Sequence, residues 1–214
     1  MSTLSLAPRR PVLADRVLPR SLAVDALLVI GGAALTALLA QVAIPLWPVP
    51  ITGQTFAVLL VGTTLGSVRG ALSMALYLAV GVLGAPIFAE HKSGSLFALT
   101  SGGFILGFIA AAALVGWLAQ RQWDRRVLGT VVSFLAGTAV MYAFGLPWLA
   151  MVLNGFGPTV WHGALGYDSL AAATFGAGFV PFLVGDLLKA VAAGILLPLA
   201  WRAVGRADLI KRGS

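Results

Sequence analysis

Hydrophobic residues in this chain come in long runs broken by short polar clusters, with little of the strict alternation that marks half-buried strands. A helix that crosses a bilayer needs about 20 mostly apolar residues. Six candidate segments follow: residues 22–44, 54–65, 70–86, 102–120, 127 to about 153 interrupted by Pro147, and about 181–204. The second is too short to cross upright unless its polar ends count or the bilayer thins around it. The prediction is an all-α polytopic membrane protein of six transmembrane helices. Residues 1–20 form a basic tail, 21–204 one membrane domain, and 205–214 a second basic tail.

Composition agrees with lipid as the main solvent. The 214 residues are 59% hydrophobic and 10% charged, and the mean hydropathy is +0.98. Soluble domains carry about 25% charged residues. The absence of cysteine excludes a disulfide scaffold and thiol-ligated metal.

Charge then sets orientation. Arg9, Arg10, Arg16 and Arg20 precede the first segment, Arg69 separates the second from the third, and Arg121, Arg125 and Arg126 separate the fourth from the fifth. Arg202, Arg206, Lys211 and Arg212 close the chain. Six crossings place all of these on one face and leave only Lys92 on the other, which makes the termini cytoplasmic by the positive-inside rule. Bases scattered as helix-end anchors do not make a nucleic-acid stripe. Four arginines before an apolar run also imitate a signal peptide, with Ala40 or Ala43 as a conceivable cleavage point. The run is long for that purpose, and five more apolar segments follow.

This orientation puts the elaborate loops outside: residues 45–53, residues 87–101 and about 154–180. The stretch PLWPVPITGQTF (residues 45–56) is unusual for its three prolines, two threonines and one glutamine between greasy segments. Irregular backbone near membrane depth is tolerated where it lines a cavity. Segment six reads PFLVGDLLKAVAAGILLP and carries Asp186 and Lys189, three apart on one helix face. Charges in hydrocarbon cost about 2.5–3.5 kcal/mol each and mark functional sites by default, although a structural ion pair is the plainer alternative. At 1.5 Å per residue they lie roughly 7–12 Å below the helix start, under the external loops. A cation there suits a ligand carboxylate, and an aspartate suits N–H donors.

The other charged groups say less. Asp25 begins the first segment, Asp124 lies among arginines, and Glu90, His91 and Lys92 share an outer loop with no metal-ligand spacing; His162 lies in another. No phosphate-binding loop, zinc-protease motif or serine-nucleophile motif is present, so the chain carries no ATPase and no recognisable catalytic set. In GGAALTALLA, Ala33 and Ala37 stand four apart with Gly32 and Thr36 beside them, a small-residue stripe that fits either packing within the bundle or docking of a partner.

The blocks PVPITGQTF, LGSVRGALSMALYLAVGVLGAPIF, TSGGFILGF, FGLPWLAMV and VPFLVGDLLKA, in this order from about Leu35 to Leu199, resemble the BioY family of biotin-binding S components of energy-coupling factor transporters. The resemblance implies a six-helix protein of the bacterial cytoplasmic membrane that captures biotin from outside. It places Asp186 and Lys189 in the biotin site and Gln54 in the loop over it. It implies a transmembrane coupling protein and two cytoplasmic ATPases as partners, with Ala33 and Ala37 facing the coupling protein; solitary biotin transport is the alternative. Biotin carries a carboxylate, a ureido ring with two N–H donors and an apolar body. Thr52 and Gln54 are expected to add hydrogen bonds, and Phe56, Tyr77, Phe88 and Trp148 to form the walls. The EHKSGS stretch departs from the glycine-rich loop expected of the family. A membrane enzyme using Asp186 and Lys189 as acid and base, and a structural subunit using them as a packing pair, are the competing readings.

Overall fold

The computed structural model describes the backbone of residues 11–213 and the side chains of residues 11–206. Arg9, Arg10, Lys211 and Arg212 therefore lie outside the described side chains. The elements are α1 (Ala14–Val17), α2 (Leu22–Ala40), β1 (Ala43–Ile44), β2 (Ile51–Thr52), α3 (Gln54–Leu65), α4 (Ser67–Val82), α5 (Gly102–Gln120), α6 (Val127–Phe156), α7 (Leu170–Gly178) and α8 (Leu183–Gly213). Among the described residues, four helical stretches, residues 22–40, 102–120, 127–156 and 170–206, are long and apolar enough to cross a membrane; α3 and α4 are apolar but shorter.

Several expected boundaries shift for identifiable reasons. The first apolar run stops being helical at Ala40. Ala43 and Ile44 instead pair antiparallel with Thr52 and Ile51, because the prolines at 45, 48 and 50 leave only extended or turn backbone between them. Pro147 does not interrupt α6, which runs unbroken from Val127 to Phe156. Neither terminal region described is a free tail. Val12 is 1% exposed and Asp15 of α1 pairs with Arg69 and Arg20. At the other end α8 continues through Val204 to Gly213.

Arginines and tryptophans gather at one end of the bundle. Arg69 bonds both Asp15 and Asp25 there, tying α1 and α2 to the start of α4. Nearby, Trp201 Nε1 donates to the buried Asp124 at 2.6 Å, and the Arg125 guanidinium lies 4.3 Å above the Trp201 ring. The opposite end carries the β hairpin. Thr100 Oγ1 donates to the Pro48 carbonyl, Gln41 Nε2 donates to the carbonyls of Ile87 and Phe88, and Trp148 Nε1 donates to Leu99 O. Helix α5 is the centre of the bundle and packs on α3, α4 and α6. Its Gly116 sits so close to Gly66 and Ser67 that an added Cβ would fall 2.4 Å from their backbone atoms. Small residues are what permit such approach between helices.

Candidate functional site

The hairpin hands the chain to α3 through Thr52. Its hydroxyl accepts the Gln54 N–H at 3.2 Å and so satisfies one of the open donors at the start of α3. This fixes Thr52, Gln54 and Thr55 at one corner of a cavity. Phe182, in the short 3-10 turn before α8, and Asp186 and Lys189 of α8 form the facing corner, recurring at helical spacing on one side. Further walls come from Val49 and Pro50 of the hairpin, Ala89, Ser101 just before α5, Phe104, Ile105 and Phe108 on α5, and Thr138, Met141 and Tyr142 on α6. The enclosed cavity volume is about 40 Å³.

Its polar chemistry converges on Asp186, which is 8% exposed. Tyr142 donates its hydroxyl to Asp186 Oδ2 at 2.6 Å, and Lys189 Nζ donates to Oδ1 at 3.3 Å. Lys189 also donates to Thr52 O at 3.0 Å and Thr55 Oγ1 at 2.8 Å. An ammonium has three N–H donors, so these three contacts occupy all of them. The carboxylate retains acceptor capacity, since each oxygen takes only one of these bonds. Gln54, 6% exposed, adds an amide: its Nε2 donates to Tyr77 OH at 2.5 Å, and its Oε1 accepts from Thr52 Oγ1 at 3.3 Å. The cavity thus has one acceptor-rich polar end and largely apolar walls that include Phe104, Phe108, Tyr142 and Phe182.

Thr52, Gln54, Asp186 and Lys189, expected to meet, do line this one space. The aromatic wall is different from the expected one. Phe56 follows Thr55 by about 100° around α3 and turns instead to Phe134, ring centroids 6.2 Å apart. Tyr77 is completely buried one layer behind Gln54, with Phe88 edge-on against it at 5.5 Å. Trp148 packs on Phe97 and over Gly102 and Gly103. The residues that sequence reasoning missed carry a faint helical signal: Thr138 and Tyr142 are four apart, as are Phe104 and Phe108. Nothing in the sequence says which stripe of an all-apolar helix turns inward.

Ala33 is 9% exposed and faces the bundle, Ala37 is half-buried, and Gly32 packs against Ser73 and Val61. The face of α2 left open carries Gly31, Ala34, Leu35 and Leu38. The Ala33 side of the stripe therefore serves packing within the bundle.

An apolar helical bundle with an ion pair sunk into a small cavity at one end marks a membrane-embedded protein. The chain belongs to the BioY family, whose model matches residues 12–206. It is 33% identical over 167 residues to the biotin transporter BioY of Rhizobium etli, covering 74% of this chain and 81% of that protein. It is 35% identical over 158 residues to the biotin transporter BioY of Thermotoga maritima, covering 73% and 83%. To the biotin transporter BioY of Rhodobacter capsulatus it is 37% identical over 163 residues, covering 72% and 80%. The fold is shared with the crystal structure at 2.1 Å of the S-component for biotin from an ECF-type ABC transporter. That match has a TM-score of 0.68 at 21% identity and covers 84% of this chain and 92% of that one.

Proposed function

We propose that the protein takes up biotin across the bacterial cytoplasmic membrane, as a substrate-binding S component that captures the vitamin from outside. The observation that carries this reading is the acceptor-rich end of the cavity, where Asp186 and Gln54 stand over apolar walls. Two ureido N–H groups suit two fixed acceptors, and the thiophane body suits Phe104, Phe108 and Phe182. Asp186 accepts ureido N–H groups. Lys189, with its donors already engaged, holds Asp186 and the Thr52 turn in place rather than gripping the carboxylate.

In the membrane the chain crosses six times, with α2 to α6 and α8 as the spans and both termini cytoplasmic. The arginine end supports this orientation by the positive-inside rule. Helix α3, about 18 Å long, spans with help from the hairpin before it and local thinning of the bilayer. The protein is a carrier and not an enzyme, and it needs no cofactor of its own. Its partners are a transmembrane coupling protein and two cytoplasmic ATPases. The test is uptake of labelled biotin by cells that express this chain with and without such a module. Uptake in neither background overturns the reading; uptake by the chain alone makes it a solitary transporter.

A further inference from the structure

Tyr77 touches no part of the cavity, yet it governs what the cavity offers. A hydroxyl has one proton to give. Tyr77 gives its proton to Ile87 O at 3.1 Å, and a carbonyl can only accept. Towards Gln54, Tyr77 then accepts, and the Gln54 atom 2.5 Å away is the amide nitrogen. The other end of the amide is then its carbonyl oxygen. Thr52 agrees with this orientation: its oxygen already accepts the Gln54 backbone N–H, which leaves its proton free for Gln54 Oε1. The acceptor Ile87 O is itself fixed, because Gln41 Nε2 donates to it at 3.3 Å.

We infer that Tyr77 is a positioning residue: it locks the Gln54 amide with its oxygen, not its nitrogen, towards the ligand and so selects molecules that present N–H donors. Reversing the amide would set an N–H beside the ligand's own N–H groups and remove one of the two acceptors. The inference rests on the biotin reading above.

The test is a double-mutant cycle on the detergent-solubilised full chain, read by equilibrium binding of biotin. Tyr77→Phe lowers affinity about tenfold, as does Gln54→Ala. Tyr77→Phe made in the Gln54→Ala background costs nothing more, because the residue it positions is gone. An equal loss in both backgrounds, or no loss in the first, overturns the inference. A second measurement needs no variant. In glutamine-labelled wild-type protein, magnetic resonance shows a Gln54 side-chain amide proton close to the Tyr77 ring; the absence of that contact also overturns it. Failure of the wild type to bind biotin would remove the biotin reading, a result distinct from an additive cycle in a protein that binds.

Discussion

Lys189 Nζ lies 3.0 Å from the carbonyl oxygen of Thr52, a contact between residues 137 apart in sequence that fastens the β hairpin to α8. The same ammonium reaches Asp186, so one side chain determines both the shape of the cavity's mouth and the position of its main acceptor.

Lys189→Ala removes both functions and leaves Asp186 buried with Tyr142 as its remaining donor. Biotin affinity should fall at least about tenfold, or about 1.4 kcal/mol. Much of that loss reflects an uncompensated charge. Lys189→Arg should not restore it, since a planar fork cannot meet three acceptors grouped around a point charge. Equilibrium binding to purified variants is the check.

Asp186→Asn keeps the shape of the site but gives up the charge and half of the acceptor capacity. It should cost at least about tenfold in biotin affinity. Tyr142→Phe removes the 2.6 Å hydroxyl that orients Asp186 and should cost up to about tenfold with little change in fold. Binding isotherms with a parallel thermal melt separate affinity from stability.

At the arginine end, acid should loosen the lock between α1 and α4. Burial pushes the Asp15 carboxyl up, but the Arg69 hydrogen bond and charge, the Val12 N–H and Arg20 outweigh burial and hold it below the usual carboxylate range. A depressed folded-state pKa adds stability that is present above the unfolded value and is lost as pH falls through the folded one. Asp15→Asn should therefore lower the melting temperature at pH 7, and the gap to wild type should begin to shrink as pH falls below about 4. A gap that is constant with pH would show that Asp15 contributes nothing through its charge.

Close helix approach gives a packing prediction. Gly116→Ala puts a Cβ 2.4 Å from the backbone of Gly66 and Ser67, which cannot rotate away. Overpacking of about 1–3 kcal/mol exceeds the gain of about 1 kcal/mol from helix propensity, so the melting temperature falls. Gly31→Ala, with nothing within 4 Å of its new Cβ, should leave it unchanged or raise it.

The positions of the apolar helices were legible because lipid demands runs of fixed length. Asp186 and Lys189 were legible because charge in such a run is conspicuous. Thr52 and Gln54 stood out as polar residues after a proline-rich break. The β hairpin was not legible, since two residues per strand leave no alternation to detect. Nor were the aromatic walls. In an amphipathic helix the polar face identifies the inward stripe, but α5 and α6 are apolar all round, so only packing decides that Phe104 and Tyr142 face the cavity while Phe56 does not. Tyr77 was expected in the wall and lies behind it, where its hydroxyl still acts on the site through Gln54.

The most direct test of the central claim is equilibrium binding by the purified chain alone in detergent, with biotin, desthiobiotin and lipoate compared. A site built on two acceptors for ureido N–H groups predicts saturable binding of biotin and desthiobiotin, both of which keep the ureido ring. It predicts no binding of lipoate, which has the carboxylate and a sulfur ring but no ring N–H. Equal binding of lipoate, or no binding of biotin, would contradict the account.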